Sequence, residues 1–355
     1  MTRINLLSAK AFRMCAIATA ISMSFATFAQ ETPKWLRKNA ISPDGNVVAF
    51  CYKGDIYTVG IAGGQAIQIT SNEAYDSDPI WMPDGKNIIF SSTREGSKDI
   101  FMTSAKGGKP KRLTDYPGSE TPLCVLPDGR IIFQANIGQD VKYGGFPGSA
   151  QLWQVDTNAK RPLLVTSLPI MNMSVNASGT VIYEDYKGYE DDLRKHHASS
   201  VTRDIWMYSG TQKNPGRFSI NGDGDSKFTK LSSFKGEDRN PVFAADGKTY
   251  YFLSEADGTL NIYKASIDAP GRQTQLTKFT KNPVRYLSAA KNGTLCFSWN
   301  GDLYSLKEGG SPEKISISVS RDQTESDLRY ITFTSGGSSV AISPNEKEIA
   351  VVAHG

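Results

Sequence analysis

The chain has 355 residues, 39% hydrophobic and 21% charged, with 32 glycines and 17 prolines. That is the composition of a turn-rich globular protein, and it excludes a disordered or fibrous chain. Of the 40 basic residues, Arg3, Lys10 and Arg13 lie in the first 29 positions, which hold no acid; the remainder carries 37 basic residues (40 less 3) against 36 acidic ones, so no nucleic-acid footprint is left.

The first predicted element is a leader. "MTRINLLSAKAFRM" is basic, "CAIATAISMSFATFA" is uncharged and apolar, and Thr27-Phe28-Ala29 supplies a small-x-small step before Gln30. This is the pattern of a secretory signal peptide cut after Ala29. The apolar stretch is short for a membrane span, so none is expected after cleavage, and the expected location is periplasmic or secreted. Cys51, Cys124 and Cys296 follow the leader. Three widely spaced cysteines do not form a disulfide framework, and each reads as a small buried hydrophobe.

From residue 30 the chain repeats itself. A glycine turn recurs as "SPDGN", "MPDGK", "LPDGR", "NASGT", "AADGK" and "AKNGT", and apolar runs such as "VVAFCY", "IIFSS" and "YYFLS" follow it. Next comes a polar–aliphatic–aromatic word: Asp55-Ile56-Tyr57, Asp99-Ile100-Phe101, Gln151-Leu152-Trp153, Asp204-Ile205-Trp206, Asn261-Ile262-Tyr263 and Asp302-Leu303-Tyr304. Each unit closes on an aliphatic residue and a hydroxyl, from Ile69-Thr70 to Ile315-Ser316. Four short β-runs separated by glycine turns make an antiparallel meander. One such sheet cannot bury both faces alone, so stacking copies around an axis predicts an all-β, six-bladed β-propeller over residues 30–316. The Asp or Asn of the word then reads as a backbone cap at a strand start, and the aromatic as packing between blades.

Two insertions follow the second strand of adjacent units, residues 136–150 and 184–203, and are expected to meet on one face beside the central channel. They bring Tyr143, Phe146, Tyr186, Tyr189, Arg194, His196 and His197, the candidate contacts for a peptide or a partner domain. A third insertion, residues 209–228, is expected on the opposite face. The His196-His197 pair lacks the partners a metal or general-base role requires. "NGDGDSK" fails as a calcium loop, because Ser226 and Ser232 stand where glycine and the terminal glutamate are needed. No catalytic residue, cofactor or metal is expected.

Residues 317–337 read as a linker. "VAISPNEKEIAVVAHG" (340–355) restates "AISPDGNVVAFCYKG" (40–54), so residues 338–355 are expected to open a second, incomplete propeller in a chain that is the N-terminal piece of a longer protein.

"DPIWMPDGKNIIFSSTREGSKDIFMTSAKGGKPKRLT" (78–114) resembles the repeats of the Tol-system periplasmic propeller and of tricorn-like proteases. "KHHASSVTRDIW" (195–206) and "GEDRNPVFAADGKTYYFLSEADGTLNIY" (236–263) resemble the first propeller of secreted tricorn homologues. The second resemblance implies the non-catalytic propeller portion of a large oligomeric serine peptidase. Such a propeller gates peptides or unfolded polypeptides for downstream domains, and the catalytic residues lie outside this chain. The alternative is a Tol-type scaffold that binds partner proteins.

Overall fold

The computed structural model describes residues 30–137, 151–158, 161–188, 199–212, 214, 216–222, 224–320 and 337–353. Every extended element in them is a strand, and the described chain divides into two compact units, Glu31–Val319 and a second that holds a C-terminal hairpin.

The first unit is a six-bladed propeller. Blade 1 runs Arg37–Ile41, Val47–Tyr52, Asp55–Gly60 and Ile67–Gln68; blade 2 runs Asp76–Trp81, Asn87–Ser92, Asp99–Ser104 and Lys111–Arg112. Blade 3 is Glu120–Val125, Ile131–Ala135, Gln151–Val155 and Leu163–Thr166, and blade 4 is Ile170–Val175, Val181–Asp185, Ile205–Ser209 and Lys227–Lys230. Blade 5 comprises Asp238–Phe243, Thr249–Ser254, Asn261–Ser266 and Ala269–Gln275, and blade 6 Arg285–Ala289, Leu295–Trp299, Asp302–Leu306 and Glu313–Lys314. Each blade is an antiparallel meander in chain order, and each innermost strand packs against the innermost strands of both neighbours, blade 6 against blade 1 included.

The turn phrase works as its residues dictate. Gly45, Gly85, Gly129, Gly179, Gly247 and Gly293 all take positive φ, and each donates its amide to the carbonyl three residues back. In five of the six the Asp or Asn beside the glycine accepts an amide two residues ahead, as Asp44 does from Asn46 and Asp84 from Lys86, and before Gly179 the side chain of Asn176 accepts the Ser178 and Thr180 amides.

The second strands explain why the apolar runs do not alternate with polar residues. In blade 1, Val48 and Phe50 pack toward blade 6 while Ala49 and Cys51 pack toward blade 2. In blade 5, Tyr250 and Phe252 face blade 4, and Tyr251 and Leu253 face blade 6. The core is thus six separate clusters, one at each blade boundary. The aromatics of the repeated word belong to them: Phe101 lies between blades 1 and 2 and Tyr263 between blades 4 and 5. Burying each such side chain contributes about 1.5–3 kcal/mol. Cys51 and Cys296 lie in these clusters, and burial raises all three thiols, Cys124 and Cys296 to about 12.

The acid of the word is not itself the main backbone cap. The closing hydroxyl takes that role, accepting the amide of the word's aliphatic residue: Ile56 to Thr70 at 3.0 Å, Ile100 to Thr114 at 2.9 Å, Ile205 to Ser232 at 2.6 Å and Ile262 to Thr277 at 2.9 Å. The acid or amide holds that hydroxyl or a nearby cation, as Asp55 holds Thr70 and Asp99 holds Arg112. A hydroxyl can accept and donate at once, so it bridges two groups that would otherwise compete.

Among the described residues, each four-stranded blade is built from consecutive strands of its own repeat. One backbone bond clasps successive blades: the amide opening an innermost strand donates to the preceding blade's loop after its second strand. It joins Asp76 to Gly54, Glu120 to Lys98, Asp238 to Arg203, Val284 to Leu260 and, at the closure, Leu36 to Gly301. The strand Ile317–Ser320 then lies parallel to Gly64–Gln65 at the outer edge of blade 1.

The 209–228 insertion folds back onto blade 3. Phe218 and Ile220 are buried in the cluster between blades 3 and 4, and Gln154 holds the Phe218 amide and the Gly216 carbonyl. In the second unit, Gly337–Ile342 pairs antiparallel with Ile349–Ala353. Its turn repeats the propeller turns, with Glu346 at φ 57 in the glycine place. Val340, Ile342, Ile349 and Val351 are exposed.

Candidate functional site

Strand direction puts the loops after second strands and the starts of innermost strands at one end of the ring, where both long insertions are rooted. Of the candidate contacts, Tyr143, Phe146, Tyr189, Arg194, His196 and His197 lie outside the described residues. Tyr186 is half-buried, and its amide donates to the Pro169 carbonyl at 3.0 Å, which ties it to the start of the blade 4 inner strand. The roots of the second insertion are stapled together. The Asp204 amide donates to Asp185 Oδ1, Lys187 Nζ pairs with Asp204, and the Trp206 indole donates to Asp185 Oδ2.

The same end carries a polar belt that the repeated words do not announce. Every innermost strand has a bulge near its start. Seven residues before each turn glycine stand Lys38, Asp78, Pro122, Asn172, Asn240 and Tyr286. Lys38, Asp78, Asn240 and Tyr286 take positive φ there, which re-aims their side chains and backbone groups at the neighbouring blade.

The resulting contacts run round the ring. Lys38 Nζ pairs with Asp78 Oδ1 at 3.1 Å, and Lys98 Nζ pairs with Asp78 Oδ2 at 2.9 Å and reaches Thr121 at 3.1 Å. Gln134 donates to the Ile170 carbonyl at 3.3 Å. Glu184 Oε2 accepts from Asn172 at 2.6 Å and from the Asn240 amide at 2.9 Å. The Asn240 side chain makes a reciprocal pair with the Leu287 backbone at 3.1 and 2.9 Å. Asn39 donates to the Tyr286 carbonyl at 2.9 Å, and Lys38 lies 5.4 Å from the Tyr286 ring centroid, which returns the belt to blade 1.

Electrostatics separates two kinds of acid here. Burial favours protonation of Asp78, but the Lys38 and Lys98 ammonium groups outweigh it and hold the carboxyl well below the usual range. Lys38 is raised in turn, first by Asp78, while its side chain stays 48% exposed. At the starts of innermost strands the balance reverses. Burial pushes Glu120 up to about 7 and Asp238 up to about 6. Asp76, at the corresponding place in blade 2, is held by Arg94 at 3.0 and 2.8 Å.

The belt residues had one signal in the sequence, a polar or proline residue at a constant distance before each glycine turn. Its meaning depends on the bulge, which sequence does not announce.

The comparisons bear on the first unit. Residues 33–311 match the family described as tricorn protease N-terminal beta propeller domain. Tricorn protease homolog 1 of Streptomyces coelicolor is 24% identical over 283 residues, 78% of this chain and 24% of that protein. This chain thus spans about a quarter of that relative's length. Among solved structures, the tricorn protease superposes with a TM-score of 0.62 at 20% identity, covering 87% of this chain and 28% of that one. TolB from Acinetobacter baumannii gives 0.54 at 16%, covering 87% and 71%. These two likenesses carry the fold alone. With the family matched across all six blades, the chain belongs to the tricorn protease N-terminal β-propeller family.

Proposed function

We propose that this propeller is the non-catalytic, peptide-admitting portion of a tricorn-like serine peptidase whose bond-breaking groups lie outside the chain. The observation that carries the reading is the end of the ring where the innermost strands start, joined by inter-blade hydrogen bonds with one half-exposed lysine side chain, Lys38, among the contacts. A mouth lined by strand starts favours extended chains over folded ones. Membership of the tricorn propeller family supports the same assignment.

The test is fluorescence anisotropy of unstructured labelled peptides added to the purified protein. Saturable binding weakened by Lys38→Glu supports the reading. Absence of binding, or an affinity indifferent to that substitution, overturns it. We further propose that the protein works in the periplasm or outside the cell, after cleavage beyond Ala29. N-terminal sequencing of the mature protein from the periplasmic fraction checks this, and an intact Met1 there would refute it.

A further inference from the structure

Three asparagines in this chain precede a glycine: Asn221, Asn292 and Asn300. The pair is chemically distinctive, because glycine has no side chain to keep its amide nitrogen away from the asparagine carboxamide. All three asparagines are exposed, so exposure does not separate them. Their surroundings do. Asn292 stands in the blade 6 turn, where its Nδ2 donates to the Asp44 carbonyl at 2.9 Å and its Oδ1 accepts the Thr294 amide at 3.0 Å. The Gly293 amide is engaged as well, donating to the Ala290 carbonyl at 3.0 Å. Asn300 sits at φ 51 between the second and third strands of blade 6, with its Oδ1 accepting from Asn282 at 2.9 Å. Gly301 closes the ring there. Its carbonyl accepts the Leu36 amide at 2.9 Å, an arrangement that buries Leu36 and leaves Trp35 69% exposed.

Asn221 lies in the 209–228 insertion, directly after Ile220, which is buried in the cluster between blades 3 and 4 and donates its amide to the Val165 carbonyl at 3.2 Å. Beyond it, Asp225 accepts the Thr211 hydroxyl at 2.5 Å. Among the described residues, no hydrogen bond holds the Asn221 carboxamide or the Gly222 amide. A Cβ on Gly222 would meet nothing within 4 Å. Of the three pairs, this is the one whose reacting groups are at liberty to meet.

We propose that Asn221 is a site of self-modification, at which the folded protein deamidates through a succinimide. The Gly222 amide nitrogen gives its proton to solvent base and attacks the Asn221 Cγ. A Cγ–N bond forms, the Cγ–Nδ2 bond breaks, and the departing group takes up a proton and leaves as ammonia. Water then opens the ring. Breaking the new Cγ–N bond leaves aspartate, and breaking the original backbone C–N bond leaves isoaspartate. Nothing is oxidised or reduced. Either product adds a negative charge to a stretch that already holds Asp223 and Asp225. Isoaspartate also puts a methylene into the main chain directly after the buried Ile220. The modification thus acts as a clock on the attachment of the insertion to blade 3, loosening it at the Ile220 anchor.

The experiment ages the purified protein in mildly alkaline buffer and maps its peptides by mass spectrometry, with a fragmentation method that separates isoaspartate from aspartate. In the folded protein Asn221 converts at least about tenfold faster than Asn292, whose carboxamide must first break two hydrogen bonds, and faster than Asn300 as well. In urea the three convert at comparable rates, because the fold no longer holds any of them. Gly222→Ala fits the open space at that position, keeps the fold and slows conversion at Asn221. After ageing, hydrogen exchange at the Ile220 amide quickens in the unsubstituted protein and not in Gly222→Ala. Conversion of Asn292 or Asn300 at the rate of Asn221 in the folded protein overturns the proposal, as does an Asn221 that stays an amide there while it converts in urea. A hierarchy that persists unchanged in urea overturns the structural account of it, and unchanged exchange at Ile220 after conversion overturns the clock.

Discussion

Asp238 opens the inner strand of blade 5, fully buried, with the Ser254 and Ser232 hydroxyls beside its carboxylate. Its counterpart in blade 2, Asp76, is equally buried but paired with Arg94 through both oxygens. Aligning "SSTREGSKDI" with "LSEADGTLNI" puts Ala256 where Arg94 stands. Burial then pushes Asp238 from 3.8 up to about 6, the Ser254 and Ser232 hydroxyls beside it offsetting only part of that rise. At 1.36 kcal/mol per pKa unit, a rise of about two units penalises the folded state by about 3 kcal/mol once both states are ionised. Because the folded pKa is raised, the penalty is absent below about pH 4. It grows as pH rises toward 6 and is complete above that. Asp238→Asn cannot ionise and has an amide that the neighbouring hydroxyls can accept. It should therefore raise unfolding stability by about 3 kcal/mol at pH 8 and leave it nearly unchanged near pH 4. Urea denaturation of both proteins across that range measures the difference. An Asn variant no more stable at pH 8, or a difference that does not vary with pH, would refute the account. Ala256→Arg offers a second check, since a guanidinium in that place should pair with the Asp238 carboxylate, in the geometry in which Arg94 pairs with Asp76, and so lower the Asp238 pKa.

Other residues give sharper local tests. Asp78 is held below the usual carboxylate range by Lys38 and Lys98 against its burial, so its stabilisation is present above that range, begins to fall within it and is lost as pH drops through the depressed folded-state value. Asp78→Asn should cost about 2 kcal/mol at neutral pH, with the cost shrinking progressively as pH falls below about 4, in thermal melts. Thr277 Oγ1 accepts the Ile262 amide and donates to Asn261, each at 2.9 Å, in a buried site. Thr277→Val should therefore destabilise by about 1–3 kcal/mol in urea, and Thr277→Ser should restore most of it. A Cβ on Gly63, at φ 85, would stand 2.5 Å from the Ser316 carbonyl oxygen. Gly63→Ala should cost at least about 1 kcal/mol and speed hydrogen exchange at the Gly64 and Ala66 amides, which bond to Ser316 and Ser318.

By itself the sequence determined the number of blades, the four-strand plan of each and the turn that joins its first two strands. These are local matters, since a Pro-Asp-Gly turn and a run such as Ile88-Ile89-Phe90 dictate their geometry within a few residues, and repetition forces stacking. It also marked the hairpin at 337–353 as a further copy of the same phrase. What only the tertiary structure decided is how the copies hold one another. The closing hydroxyl, rather than the acid of the word, caps the strand because the two words touch only after the meander forms. Lys38, Asp78 and Asn240 look like ordinary polar residues until a bulge turns them toward the neighbouring blade. The aiming of Trp35 outward follows from Leu36 bonding to Gly301, a residue 265 positions away (301 less 36) that meets it only when the ring closes.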